Sequence, residues 1–188
     1  MGAADDAVEI RLSEDCHLRV LREADADELH RLVERNRAHL SPWMPWAADQ
    51  TPERTAAFIR TTERRLADNN GFEAAIVLDG QIVGALGFPG VDWVARATSI
   101  GYWLDEAHQG HGLMTRAVRA LIDHAFGEWD LNRVEIRAAA ENRRSRAIPE
   151  RLGFREEGVR REAERIGERY NDLAVYAMLA PEWVQGKT

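Results

Sequence analysis

The segment Gln109-Gly110-His111-Gly112-Leu113-Met114-Thr115 constrains this chain more than any other. An apolar run, Thr98 to Leu104, stands before it, and a helical pattern, Arg116 to Phe126, follows at once. Strand, glycine-containing loop and helix start, in that order, bring backbone N–H groups together at one point. The first amides of a helix have no partner inside it, and the helix dipole adds partial positive charge there. Glycine lacks the Cβ that would hold an anion away from the backbone. The segment therefore predicts a loop that holds a diphosphate.

Two nucleotide-binding patterns fail on the same residues. A Walker-type loop needs a lysine after its last glycine at a helix start. Lys187 is the only lysine, beside the C-terminus. A dinucleotide fingerprint needs a third glycine where Thr115 stands, and this unit comes mid-chain after a hairpin pattern.

The length of 188 residues predicts one domain over 1–188, with its core between about 18 and 183. The formal net charge of -7 argues against a general nucleic-acid surface, which needs a basic face. Arg143, Arg144 and Arg146 form a local basic cluster nonetheless. Cys16, the one cysteine, excludes an internal disulfide and a zinc framework, and reads as a small strand or loop residue. Met1 to Asp6 is acidic without a signal-peptide core, and Asp6 departs from the myristoylation pattern. No apolar run reaches the ~20 residues of a membrane span. A cytoplasmic location and no membrane partner are expected.

Leu18 to Leu21 alternates like a short strand, and Asp25 with Glu28 reads as a capping box opening a helix whose Leu29, Leu32 and Val33 share a face. Ser41-Pro42-Trp43-Met44-Pro45-Trp46 cannot be regular helix. Thr51-Pro52 opens a second helix, which ends near Asn69-Asn70-Gly71. Phe72 to Leu78 and Gln81 to Phe88 read as strands joined by Asp79-Gly80, a two-residue hairpin signal. Thr98–Leu104, Arg133–Ala138 and Leu173–Leu179 complete the strands, with a short helix from Asn142 to Leu152. The pattern predicts an α/β fold: a mixed, mostly antiparallel central sheet flanked by helices.

Gln109-Gly110-His111-Gly112, between strand and helix, resembles the acyl-CoA pyrophosphate loop of the GNAT acetyltransferase superfamily. Asn142-Arg143-Arg144-Ser145 with Glu150-Arg151-Leu152-Gly153-Phe154 is similar to its second CoA-contacting element. Trp43-Met44-Pro45-Trp46 and Asn171-Asp172-Leu173-Ala174-Val175-Tyr176 look like the Rim-type branch, which acetylates N-termini of ribosomal proteins. Two residues depart from the pattern. Met114 stands where Gly or Ala is usual, and Pro149 falls inside the short helix, where it removes a hydrogen bond.

The resemblance implies acetyl-CoA as acyl donor, no metal, and a strand pair that splays to admit pantetheine. It places the thioester against the backbone of Tyr102, Trp103 and Leu104, an amide there serving as oxyanion donor. It places the pyrophosphate on Gln109, Gly110, His111, Gly112, Leu113, Met114 and Thr115, and pantetheine amides on Asn142. The alternative reading of Asn142 is a plain helix N-cap. Arg143 and Arg144 read as phosphate contacts or as a solvated face. His108 and His111 have a metal-like spacing, but no carboxylate or cysteine cluster completes a site.

By the same analogy Ser145 supplies the proton for the leaving thiolate and Glu164 acts as base. Alternatively, Ser145 satisfies backbone and Glu164 pairs with Arg161 or Arg165. Asn36, His39, Trp43 and Trp46 wall the substrate side, or the tryptophan loop plugs the core. An α-amine of pKa about 8 is about a quarter neutral at pH ~7.5, a lysine of about 10.4 only about a thousandth. A weak base therefore suffices for a protein N-terminus. The alternatives are a small-molecule amine acceptor (an antibiotic, polyamine or peptide-like toxin), a longer acyl group such as succinyl, and a non-catalytic acyl-CoA-binding module. The branch implies a homodimer.

Overall fold

The computed structural model describes residues 8–185. Met1 to Asp6 and Lys187 lie outside them. One mixed sheet runs through the molecule. Its strands are β1 (Glu9–Arg11), β2 (Cys16–Val20), β3 (Phe72–Leu78), β4 (Gln81–Phe88), β5 (Val91–Asp92), β6 (Ala97–Leu104), β7 (Arg133–Ala139), β8 (Arg155–Ile166) and β9 (Arg169–Leu179). The helices are α1 (Ala26–Leu40), α2 (Pro52–Ala67), α3 (Leu113–Gly127), α4 (Arg143–Arg151) and α5 (Ala180–Gln185). The sheet order is β1-β2-β3-β4-β6-β7-β9-β8, with β5 hung on β6. Every pairing is antiparallel except β6 with β7. Among the described residues no helix is long and apolar enough to cross a membrane.

Strand alternation sorts the core into two layers. Phe72, Ala74 and Ile76 of β3, with Leu86 and Phe88 of β4, face α3, whose Leu113, Met114, Ala117, Val118, Leu121 and Ile122 are buried on them. Ala75 and Val77, with Ile82 and Ala85, face Leu29 and Leu32 of α1 and Ile59 of α2. Met114, the departure noted above, is 6% exposed in the first layer, so its bulk enters the core.

The capping box at Asp25 and Glu28 does not form. The Asp25 carboxylate accepts from Arg22 N and from the Arg19 guanidinium, at 2.7 and 2.8 Å for the latter. Glu28 instead accepts from Ile82 N at 2.8 Å, tying α1 to the sheet. At α2 the expected cap is present, with Thr51 accepting from Arg54 N and Pro52 in the first turn.

The feature that makes a site is a slit. β6 and β7 pair through Ala97↔Arg133, Thr98↔Val134, Ser99↔Glu135 and Ile100↔Ile136, and then part. From Gly101 to Leu104, β6 pairs only with β4, while Arg137 to Ala139 pair only with β9. The facing edges of the two strands are left open.

At the opposite end of β3, His124 packs among Phe72, Phe88 and Trp129, with ring centroids 4.8–6.4 Å away. Its Nε2 is buried without a hydrogen-bond partner among the described residues. Burial holds its pKa below the ordinary value, against the pull of Glu128. Below about pH 6.5 the unfolded chain takes up a proton there that the folded chain refuses, so stability falls with falling pH. Between pH 7 and 5 the wild type should lose about 2–4 °C more in melting temperature than His124→Phe. Equal losses would exclude His124 as the cause.

Candidate active site

The slit opens into a cleft of about 1220 Å³. At its far end α3 begins. Gly110 and Gly112 have φ of 86° and 71°, the left-handed region where glycine has no steric cost. Gly112 is the N-cap of α3, with no side-chain cap and no acid in the first turn. The helix starts at Leu113 rather than Arg116, so Leu113, Met114 and Thr115 carry its free first amides. By contrast α1, α2 and α4 open with acids or a side-chain cap.

Charge follows the same plan. Arg116, Arg119, Arg143, Arg144 and Arg151 line the cleft, against Glu106 and Glu141. A chain of net charge -7 thus concentrates positive charge where an anion would sit. From the sequence alone Arg116 and Arg119 have no binding role, and Arg151 only a place in the second CoA-contacting element. Their helical spacing of three and seven from Arg116 and Arg144 was the available signal. Arg146 leaves the basic cluster: it donates to the Tyr176 hydroxyl, the Ala140 carbonyl and Glu156.

On α4, Asn142 Oδ1 accepts from Ser145 N at 3.1 Å, so the N-cap is real. The Asn142 side-chain amide has no partner among the described residues, and Asn142 lines the cleft. Pro149 has no N–H to give to the Ser145 carbonyl four residues back. That carbonyl accepts from the Tyr102 hydroxyl instead, at 2.9 Å. Ser145 Oγ lies 3.4 Å from the same hydroxyl. Burial pushes the Tyr102 hydroxyl far above its ordinary pKa, which keeps it a donor. Proline in the helix thus lets a β6 side chain fix the serine at the slit, a connection that sequence spacing does not reveal.

Gln109 bridges the two walls. Its Nε2 donates to His39 Nε2 at 2.7 Å, and its Oε1 accepts from Arg144 at 3.0 Å. The cleft wall includes Tyr102, Trp103, Leu104, Gln109, Gly110, Gly112, Leu113, Met114, Thr115, Asn142 and Ser145 of the predicted residues. His111 stands outside the wall, its carbonyl held by Arg116. His108 donates to Asp105 at 2.9 Å.

The substrate side differs in part from expectation. His39 and Trp43 line the cleft. Trp46 does not, but meets Trp103 edge-on at 6.0 Å. The loop holding both tryptophans is pinned by Arg37, which donates to the carbonyls of Ala47, Ala48 and Gln50. Asn36 is corrected from wall to support. It is 3% exposed, and its amide is spent on the Leu32 carbonyl and the Glu106 amide. It fixes the turn leading to Gln109.

Glu164 is also outside the cleft wall. It lies on β8 opposite Asn171, past the end of β7, where Ala140 N donates to the Asp172 carbonyl. Burial raises its carboxyl above the ordinary range, and the Asn171 amide pulls it back. Asn171 Nδ2 completes no regular hydrogen bond among the described residues. The β8–β9 tip reaches the tryptophan loop through Arg169 and the Pro42 carbonyl, at 3.2 Å.

Both the sequence and the fold that carry this site are matched by known proteins. The family described as "Acetyltransferase (GNAT) domain" fits residues 16–155. The chain belongs to the GNAT acetyltransferases. It is 38% identical to YdaF of Bacillus subtilis (strain 168) over 92% of this chain and 96% of that one. It is 28% identical to the ribosomal-protein-serine acetyltransferase of Escherichia coli (strain K12), over 90% and 96%. A solved structure of RimL, a ribosomal L7/L12 α-N-protein acetyltransferase in complex with coenzyme A, superposes with a TM-score of 0.88 at 28% identity, covering 93% and 99%. The protein is an N-acetyltransferase related to those that modify ribosomal proteins.

Proposed function

We propose that this acetyltransferase moves the acetyl group of acetyl-CoA onto the N-terminal α-amine of a protein, a ribosomal protein being the nearest class. The observation that carries the reading is the slit that opens after Ile100↔Ile136 and ends on the uncapped start of α3. Its geometry suits a long donor with an amide-bearing arm and a phosphate end. The free amides of Leu113 to Thr115, with Arg116 and Arg144, receive the diphosphate. The open edge of β6 and the Asn142 amide pair with the pantetheine arm. A backbone N–H between Tyr102 and Leu104 meets the carbonyl oxygen as it gains charge. Ser145, held by Tyr102, gives a proton to the departing sulfur. Glu164 receives one from the acceptor side.

The tryptophan loop and the names of the relatives favour a peptide acceptor, which Trp43 and His39 would grip at its first residue. A cytoplasmic homodimer belongs to the same proposal. The test is thiol release from acetyl-CoA with short peptides and small amines, read by mass spectrometry. Peptides with free Ala, Ser or Met N-termini should gain one acetyl group on the α-amine. Reaction of small amines alone would overturn the acceptor while leaving the enzyme family in place.

A further inference from the structure

One carboxyl on the α1/α2 side of the sheet has no structural occupation. Asp25, on that side, is spent on Arg19 and the Arg22 amide. Glu73 of β3 makes no hydrogen bond or ion pair among the described residues. Protein crowds it on all sides, yet part of its surface stays open. Burial pushes it up to about 8, with Arg65 of α2 the charged group that opposes this.

Its position matters more than its proton affinity. Glu73 pairs with Gly87 of β4, and Gly87 pairs with Gly101 of β6. Alternation puts all three on the face that carries Trp103, opposite Tyr102 and Ser145. A Cβ at Gly87 would stand 2.5 Å from Glu73 Oε2, so the carboxyl lies directly on that glycine. A Cβ at Gly101 would meet nothing within 4 Å. Gly101 is also the first β6 residue freed from β7. Two glycines thus leave a bare track from the carboxyl to the mouth of the slit. Its length is one strand spacing, about 4.8 Å, which one water or a small side-chain rotation bridges.

We propose that Glu73 receives the ammonium group of the acceptor and takes its first proton, a role that rests on the amine-acetylation reading above. The ammonium gives one proton to the Glu73 carboxylate. The freed nitrogen pair forms the C–N bond to the thioester carbon, the C–S bond breaks, and sulfur keeps the pair. The second proton on nitrogen leaves to Glu164, the acceptor-side base above, and Ser145, having protonated sulfur, regains a proton from solvent. Glu73 and Glu164 then return their protons to solvent. The Glu73 and Ser145 transfers run on opposite faces of one sheet.

The test compares Glu73→Gln and Glu73→Asp with wild type on two acceptors: a peptide with an ordinary α-amine, and the same peptide bearing an aminooxyacetyl end, which is neutral at neutral pH. Glu73→Gln should lose about 10²-fold in kcat on the α-amine and less than about threefold on the aminooxy peptide. Glu73→Asp should recover part of the loss. Acetyl-CoA affinity and melting temperature should match wild type, since glutamine copies the protonated carboxyl. Equal losses on both acceptors would mean a structural role, and no loss on either would also overturn the proposal. If wild type rejects the peptide but acetylates a small amine, the acceptor reading fails, and Glu73 is tested on that amine and its aminooxy counterpart.

Discussion

Ser145→Ala is expected to lower kcat by about 10²–10³-fold while leaving acetyl-CoA affinity within about twofold. The hydroxyl sits at the slit, 3.4 Å from a tyrosine hydroxyl that burial keeps protonated. The Ser145 amide and carbonyl, not the hydroxyl, hold the helix start to Asn142 and Tyr102. Alanine keeps both bonds, so the fold and the donor site should survive. Steady-state kinetics with calorimetric CoA titration separates the two effects. A wild-type kcat in a folded variant would remove Ser145 from the reaction.

The second large effect is on binding. Gly110→Val combined with Gly112→Val should raise the dissociation constant of CoA by about 10²-fold. Each position has positive φ. A side chain there costs roughly 1–2 kcal/mol in the left-handed region, so two cost about 2–4 kcal/mol if the bound loop must keep its shape. At Gly112 the new carbon also comes 3.5 Å from the Arg116 guanidinium. Turnover at saturating donor should change little, because Ser145 and Glu73 lie elsewhere. An unchanged dissociation constant would show that the loop is not the diphosphate cradle.

Much of the fold was legible because its signals are local. Asp79-Gly80 does join two strands, with φ of 50° and 76° at the turn. Thr51-Pro52 and Asn142 do start helices. β8 was missed because eight of its first residues are exposed and charged or glycine and valine, with no apolar alternation to read. β1, three residues long, is too short for a period. Asp25 was misread because a competing guanidinium, Arg19, arrives from the neighbouring strand. At the site, the glycine loop and Asn142 were visible as patterns of backbone chemistry. The Tyr102–Ser145 bond and the freedom of Glu73 depend on which residues meet across strands, which no spacing records. Asn36 shows the reverse case, a polar residue on the right helix that the fold consumes in its own turn.

The slit has a mechanical meaning as well. Four residue pairs, Ala97 to Ile100 with Arg133 to Ile136, are the strand pairing that joins the β1–β6 half of the sheet to the β7–β9 half, and just before them the Arg96 carbonyl accepts from Asn132 N and Arg133 N. Beyond that seam the strands part like the arms of a pair of tongs, and side-chain bonds such as Tyr102 to Ser145, Arg144 to Gln109 and Arg169 to Pro42 cross between them. A donor that adds its own amides to the open β6 edge becomes the missing rung between them. Loading the enzyme with CoA is therefore expected to stiffen the arms into one plate, and amide exchange along β6 and β7 should slow with it.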